Sequence, residues 1–490
     1  MVRPRLDPGR VARLIAPAVA QVMALTAWSS AAAQPAPPAA TAAPPAVALE
    51  DDPVLAGLVA ASLADRPELA AAAAGVAARR ARVELAGAWP DPVLTLGIQN
   101  DGFTGIEIGA METSFASVMV TQAIPWPGKR RLRTALAELG VTAATLDAER
   151  ARLTAIAEIE RGYLALVRVR DRQALLAQQT ALWERAVDVT RRVYAAGQGS
   201  QADVLRAQLE VRRLELRRLA LAAEEQERLH ALNRLRGADL DAPIATTASI
   251  AALALPPPID EATAFADARA HSPELARAGL AITSAERATA LAAKDANPDL
   301  AVSAGLMVRG VDLPPMWTVS VGGALPLFTA PAARRAVAGA RADGTRARLE
   351  LDALERLVRQ RIHDRATALA ALRATAAAYR DGILALSTAT ADSALAQYQS
   401  GRASLTAVLD ASAGALVDQD AYLDAIAAAH GIAIAQRAYS LDDLTSAAAG
   451  LGRTAMPITA TAAVTGAPAA AASTDAAPAA APAAAGMGGM

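Results

Sequence analysis

A motif that occurs twice, about 200 residues apart, constrains the fold of this chain more than any other feature. Each copy has a tyrosine, a glycine three residues later and a serine three residues after the glycine. The copies are Tyr194, Gly197 and Ser200, and Tyr398, Gly401 and Ser404. Because glycine supplies the positive φ beyond a helix end and serine caps the next helix, each copy predicts a helical hairpin tip, at residues 194–204 and 398–408. The spacing is too wide for a solenoid repeat and indicates one duplicated half-protein.

The duplication extends into long helical segments on both sides of each tip. An alanine-rich helix is predicted at residues 53–88, and its string Pro67-Glu68-Leu69 returns as Pro273-Glu274-Leu275. Further helices are predicted at residues 127–194, 200–236, 331–398 and 404–444. At 1.5 Å per residue, the helix that leads to each tip is about 100 Å long, far longer than most globular helices, and its heptad spacing favours coiled-coil packing.

Between these helices the hydrophobic period changes from helical to two. Four runs alternate between apolar and small or polar residues, at residues 93–99, 116–124, 300–308 and 317–325. Each has about the length of a tilted membrane strand. The same pattern is also typical of a soluble sheet with one solvated face, and this alternative stays open from periodicity alone.

The residues that follow each pair of strands favour the membrane interpretation. Proline, an aromatic residue and a cluster of cations follow in order, and Trp126 and Phe328 are the aromatic residues. A bilayer boundary selects this combination, so both residues are predicted to mark the periplasmic rim. Four strands cannot close a barrel, and an open sheet edge in lipid leaves backbone groups unpaired. The chain therefore requires partner copies, two, three or four of which give permissible strand numbers.

The segment after the first tip is Asp203-Val204-Leu205-Arg206-Ala207-Gln208, and the second tip keeps Val408-Leu409-Asp410-Ala411, with Ala407 in place of Asp203. This string after a Tyr-x-x-Gly turn resembles the TolC-like outer-membrane efflux proteins, over about residues 53–444. The resemblance implies a mixed α and β fold with two structural repeats per chain. Three chains would build one transmembrane β-barrel, with four strands per chain and about twelve in all. A long α-helical coiled-coil barrel would continue it.

The composition of successive segments predicts the domain boundaries and indicates that the protein is exported. Basic residues at the N-terminus, an apolar run and three alanines predict a signal peptide at residues 1–33, and no later stretch is apolar enough for a membrane helix. The remaining segments are a disordered spacer at 34–52, a first repeat at 53–241, a linker at 242–258, a second repeat at 259–447 and a disordered Ala/Pro-rich tail at 448–490. Cysteine is absent, which excludes disulfides and an N-terminal lipidated cysteine.

Nothing in the sequence predicts an enzyme, a cofactor or a metal site. The four histidines are far apart, and we interpret them as helix-surface or groove residues. Gly197 and Gly199 form a turn, since the strand and the third glycine of a phosphate-binding loop are missing. The chain has 48 basic and 49 acidic side chains, and this neutral balance argues against nucleic-acid binding.

The resemblance places function at the tips. In a trimer each tip residue is repeated around the axis, so a single aspartate becomes a ring of three carboxylates. The resemblance implies a periplasmic gate formed by Asp410, Tyr398 and Arg402, with Arg402 one position from the usual basic residue. It implies that the remaining tip residues brace the hairpins and dock an adaptor protein. These residues are Tyr194, Gly197, Asp203, Val204, Leu205, Gly401, Ser404, Val408 and Leu409.

The function implied by the resemblance is a passive duct in the outer membrane of a Gram-negative bacterium, extending into the periplasm. As a homotrimer in outer-membrane lipid, it would export small molecules from an inner-membrane pump, of the resistance-nodulation-division type, through a periplasmic adaptor. The string Pro125-Trp126-Pro127-Gly128-Lys129 resembles members associated with heavy-metal efflux, so both drugs and metal ions are candidate substrates. One alternative is a duct for type I protein secretion. Another, from a different class, is a soluble periplasmic coiled-coil scaffold.

Overall fold

The computed structural model describes residues 48–442, except for residues 104, 248 and 325–329. Several predictions made from the sequence lie outside these described residues. They are the signal peptide, most of the spacer, Leu325 at the end of the fourth predicted strand, the rim residue Phe328 and the Ala/Pro-rich tail.

Each half of the chain begins with a helical pair that is broken before a proline. The pairs are α1 (Pro53–Asp65) with α2 (Pro67–Gly87), and α5 (Glu261–His271) with α6 (Pro273–Asp295). Arg66 has extended backbone, with φ −75° and ψ 118°, because the ring of Pro67 disfavours helical geometry in the residue before it. The prediction of one continuous helix at residues 53–88 was therefore wrong at this position.

Two antiparallel hairpins contain the longest helices of the described part of the chain. The first consists of α3 (Lys129–Ala195) and α4 (Gln201–Leu235), and the 67 residues of α3 span about 100 Å at 1.5 Å per residue. The second consists of α7 (Ala330–Ala378), α8 (Leu384–Gln399) and α9 (Leu405–Arg437). Among the described helices, none combines the length and the apolar composition needed to cross a membrane.

The second hairpin differs from its prediction in two places. The helix predicted at residues 331–398 contains a π-helical turn at Tyr379–Ile383, which separates α7 from α8. The return helix ends at Arg437, so its predicted continuation was wrong for residues 438–442, and residues 443 and 444 lie outside the described part of the chain. Beyond Ala438, Tyr439 has a φ of 49°, the one positive φ of a non-glycine residue in the described part of the chain, and such a residue cannot continue a helix.

One antiparallel sheet contains four strands in sequence order. They are β1 (Val93–Gln99), β2 (Phe115–Ile124), β3 (Leu300–Val308) and β4 (Met316–Gly323). The pairing of β2 with β3 joins the two halves of the chain. The strands β1 and β4 lie at the edges and pair on one side each. A mostly helical chain with a four-stranded sheet is the fold class that the sequence predicts.

The register of the strands gives the two faces of the sheet different compositions. On one face, exposed apolar residues lie directly opposite one another across all four strands. One such row is Leu96, Val118, Leu306 and Trp317, and the next is Leu94, Val120, Ala304 and Val319. The other face carries small and polar residues, with rows Thr95, Met119, Gly305, Thr318 and Val93, Thr121, Ser303, Ser320. We call the first of these the apolar face.

The largest buried cluster lies where the two hairpins meet. It joins residues of α1, α3, α4, α7 and α9 with the segment around Ile250. Inside it, the Tyr163 hydroxyl donates a hydrogen bond of 2.6 Å to Asp52 Oδ2, and Asp52 also caps α1 by accepting from the Val54 N–H. These bonds fix the start of the first repeat on α3.

Candidate functional site

The first tip is a tight turn between α3 and α4. Gly197 has a φ of 72°, and the N–H of Gln198 donates a hydrogen bond of 3.1 Å to the carbonyl oxygen of Val193. This 6→1 bond satisfies a carbonyl at the end of α3, as in a Schellman motif. Ser200 then caps α4 by accepting a 3.2 Å hydrogen bond from the Asp203 N–H.

The second tip repeats this geometry residue by residue. Gly401 has a φ of 71°, and the Arg402 N–H donates a hydrogen bond of 2.8 Å to the carbonyl oxygen of Gln397. Ser404 caps α9 by accepting from the Ala407 N–H at 3.3 Å. The two tips are therefore one local structure that occurs twice.

Both tips belong to one hydrophobic cluster. Tyr398, Leu405 and Val408 of the second hairpin are buried with Trp183, Ala207 and Leu214 of the first. The sequence analysis did not identify Trp183, which is only 1% exposed. Its signal in the sequence is a bulky tryptophan within a helix that is otherwise rich in alanine, leucine and charged residues. Because of this packing, one hairpin tip cannot move away from the other without exposing an aromatic core.

The structure separates the three residues predicted to form the gate. Tyr398 is 6% exposed, and its hydroxyl has no hydrogen-bond partner within the described part of the chain. Burial raises the pKa of Tyr398, and the nearby charge of Asp203 raises it further. By contrast, Arg402 and Asp410 are exposed at the surface. No described residue forms a hydrogen bond or an ion pair with either side chain.

The remaining tip residues divide into a buried and an exposed set. Val408 is buried and Leu409 is half-buried in the cluster that joins the tips, and Asp203 and Val204 at the start of α4 are also half-buried. Tyr194 and Leu205 are exposed, and so are Gly197, Gly401 and Ser404 in the turns. An outward apolar surface at the first tip is what a docking partner would contact.

A set of ion pairs connects the first hairpin to the second, well away from the tips. Arg172 on α3 binds Asp420 on α9, and Arg168 binds Asp424. Burial raises the pKa of Asp424, while the two arginines act in the opposite direction. The sequence analysis did not identify these partners across the hairpins.

Trp126, which the sequence predicts to mark the rim, lies in the linker between β2 and α3 and is half-buried. Its backbone N–H donates a 2.7 Å hydrogen bond to Asp299 Oδ1, which also accepts from Lys129 Nζ at 2.9 Å. Burial alone would raise the pKa of Asp299, but these bonds hold it below its usual range. The linkers of the two halves are thus held together at the base of the sheet.

The histidines form no metal centre within the described residues, where no group of three or more potential ligands converges. His230, His271 and His363 are exposed, and each contacts one carboxylate. His430 differs from the interpretation as a surface or groove residue, because it is 5% exposed. Burial, with the charge of Arg437, lowers its pKa to about 4.

Comparison with known proteins gives one family match and several similar structures. The model of the family described as outer membrane efflux protein matches residues 58–239. The outer-membrane channel OprN has a TM-score of 0.66 and 20% identity, with 81% of this chain and 92% of that chain covered. The outer membrane protein VceC of Vibrio cholerae has a TM-score of 0.63 and 20% identity, with 82% of this chain and 96% of that chain covered. The outer membrane channel MtrE of Neisseria gonorrhoeae, in its open state, has a TM-score of 0.64 and 16% identity, with 79% of this chain and 89% of that chain covered. No curated protein matches the sequence.

The chain, with its long paired hairpins and small antiparallel sheet, shares its fold with these outer-membrane proteins. Residues 58–239 match the model of the outer membrane efflux protein family. The resemblance predicted from the two tip motifs is therefore confirmed. The family match covers the half that retains the full Asp203-Val204-Leu205 string, whereas the second half carries the altered copy.

Proposed function

We propose that this protein is the outer-membrane duct of a tripartite efflux system. In this role the sheet crosses the outer membrane of a Gram-negative bacterium, and the helical hairpins extend through the periplasm. The duct is a passive path for small molecules, drugs or metal ions, and it performs no chemistry of its own. With no cysteine in the chain, membrane attachment depends on the folded sheet rather than on a lipid anchor.

The observation that carries this proposal is the apolar face of the sheet. In a soluble sheet, aligned apolar rows pack against a second layer. Here Leu96 is 70% exposed and Trp317 is 78% exposed, and they lie in the same row. Lipid is the environment in which such rows are stable without protein cover. The opposite face, with its threonine and serine side chains, suits a water-filled lumen.

The edge strands support assembly into a trimer. In a single chain, β1 and β4 each have one side without a strand partner in the described sheet. Lipid cannot satisfy the free N–H and C=O groups, so β1 of one copy must pair with β4 of the next. Three copies close a barrel of about twelve strands, an even number within the range of known barrels. The two repeats, at residues 53–241 and 259–447, each contribute two strands and one hairpin.

The hairpin tips are the proposed gate and docking region. Asp410 is exposed near the second tip, and in a trimer it would form a ring of three carboxylates. Tyr194, Val204 and Leu205 at the first tip form the surface proposed to dock a periplasmic adaptor. The adaptor would connect the duct to an inner-membrane pump of the resistance-nodulation-division type. Opening then means spreading the tips, a movement of hairpins as rigid bodies.

Single-channel conductance of the detergent-purified protein in a planar bilayer tests this function. We expect small, stable steps with cation preference, since an acidic ring attracts cations. A parallel extraction of native membranes separates the duct from a scaffold. A scaffold would leave the membrane in high salt or at high pH, whereas a duct would require detergent. Release by salt, together with absence of conductance, would rule out the proposed function.

A further inference from the structure

A pocket of about 460 Å³ opens at the base of the sheet, where β2 passes into α3. Its walls come from the end of α2, from the linker around Trp126 and from the first turns of α3. Two tryptophans, Trp89 and Trp126, and two arginines, Arg130 and Arg131, supply its large side chains. We refer to it as the rim pocket.

The two arginines of the rim pocket have different environments. The guanidinium of Arg130 lies 4.2 Å from the ring centroid of Trp89, and its Nε donates a 2.9 Å hydrogen bond to the carbonyl oxygen of Gly87. These contacts fix Arg130 at the C-terminal end of α2. The side chain of Arg131 is exposed and lines the pocket, and no described residue forms a hydrogen bond or an ion pair with it. The pocket therefore holds one positioned cation and one available cation.

The positive charge of the rim pocket is not balanced by its walls. No carboxylate is among the described residues that line it. Two acidic side chains near the linker, Asp295 at the end of α6 and Asp299 before β3, both contact the buried Lys129. Because Lys129 already uses these carboxylates, the charges of Arg130 and Arg131 remain free to attract an external anion.

The position of the rim pocket at the end of the sheet indicates which kind of anion it would bind. Ile124, the last residue of β2, lines the pocket, and Leu94, an exposed residue of the apolar face, lies near the start of β1, five residues after Trp89. A molecule in the pocket would thus have its anionic end beside the arginines and an apolar end beside the apolar face of the sheet. Tryptophan side chains at a membrane boundary contact both regions.

We propose that the rim pocket binds the phosphate headgroup of an anionic glycerophospholipid from the periplasmic leaflet, an inference that rests on the proposed membrane function. Arginine matches phosphate with paired N–H donors, and basic pockets at a membrane surface select anionic lipids. The acyl chains lie along the apolar face of the sheet. Free phosphate is also an anion, but it has no apolar part that could contact the tryptophans, Ile124 or the apolar face.

Native mass spectrometry of the detergent-purified full chain, titrated with phosphatidylglycerol or phosphatidylcholine, tests the proposal. We expect saturable binding of one phosphatidylglycerol per chain and at least about tenfold weaker binding of phosphatidylcholine. Arg131→Gln should weaken phosphatidylglycerol binding about tenfold, since it removes a charge-assisted contact with phosphate. Arg133→Gln is the matched control and should leave binding unchanged, because Arg133 is exposed on the same helix but lies outside the pocket, 4.0 Å from Asp295.

Several results would overturn the lipid site while leaving the duct intact. Equal binding of both lipids would show that the protein does not select the anionic headgroup. Unchanged selectivity in Arg131→Gln would show that the preference arises outside the rim pocket. Displacement by equimolar inorganic phosphate would make the pocket a simple anion site.

A photoreactive phosphatidylglycerol on the wild-type protein provides a test that needs no variant, since it should label the peptide containing residues 124–134. Absence of label there, for instance because a second copy of the chain covers the pocket, would also overturn it. A chain that fails to insert into bilayers would overturn both this site and the proposed function.

Discussion

Arg172 on α3 and Asp420 on α9 form a two-pronged ion pair, with Nε 2.6 Å from Oδ1 and Nη2 2.8 Å from Oδ2. The pair joins the first hairpin to the second within one chain. Arg172 also lies 3.5 Å from Asp424, which contacts Arg168. If the hairpins separate when the duct opens, this set of ion pairs is among the contacts that must break.

The first prediction therefore concerns Arg172→Ala. Because the pair is two-pronged but partly exposed to solvent, its loss should lower the free energy of unfolding by about 1 kcal/mol. The same variant should raise the single-channel conductance, since the closed arrangement of the hairpins is weakened. Denaturant unfolding and bilayer recording measure the two effects. Arg212→Ala is the control, because its ion pair with Glu215 is exposed and lies within α4. Equal effects of both variants would show that the contact between hairpins carries no special role.

The second prediction concerns the buried hydroxyl of Tyr398. Since this hydroxyl has no hydrogen-bond partner in the described structure, Tyr398→Phe should leave the free energy of unfolding unchanged or raise it by up to about 1 kcal/mol. The matched control is Tyr163→Phe, which removes the 2.6 Å hydrogen bond to Asp52 and should cost about 1–3 kcal/mol. Chemical unfolding of both variants measures the difference. A clear loss of stability or a leaky channel in Tyr398→Phe would mean that its hydroxyl holds the hairpin closed through a partner copy.

The third prediction tests Asp410 as part of the gate. Asp410→Ala should weaken the cation preference of the pore, because a ring of carboxylates raises the local cation concentration at the constriction. The measurement is the reversal potential in a salt gradient across a planar bilayer. Asp203→Ala is the comparison, since Asp203 is half-buried in the first turn of α4, at the other tip. Unchanged selectivity in Asp410→Ala would remove this residue from the constriction.

Local features of the fold could be predicted from the sequence because they depend on a few neighbouring residues. Gly197 and Gly401 adopt positive φ, and Ser200 and Ser404 cap the following helices, since a turn of this kind requires those residue types. The strands likewise follow from the change of hydrophobic period. The π-helical turn at Tyr379–Ile383 has no comparable signal in the sequence.

Features that depend on the packing of the two halves could not be predicted in this way. The burial of Tyr398 results from contact with Trp183, which lies more than 200 residues earlier in the chain. The ion pair of Arg172 with Asp420 spans 248 residues, and nothing in either helix alone distinguishes these charges from solvated ones. Trp126 was identified as a rim residue, but the two arginines beside it form a pocket only after α2 packs against α3.

The fourth prediction concerns acid sensitivity and the buried His430. Burial lowers its pKa from 6.5 to about 4, and the charge of Arg437 adds to this effect, whereas a hydrogen bond with the backbone of Ala254 opposes it. Above pH 6.5 the side chain is neutral in both states and has no effect on stability. As the pH falls from 6.5 to 4, the unfolded chain gains a proton that the folded chain does not bind, so folding becomes less favourable. The full cost in folding free energy, on the order of 3 kcal/mol, is reached near pH 4.

Thermal unfolding of the detergent-purified protein between pH 7 and pH 4 should show this loss of stability, and His430→Gln should remove most of it. His363→Gln is the control, because His363 is exposed on α7. An equal loss in wild type and His430→Gln would assign the acid sensitivity to carboxylates instead.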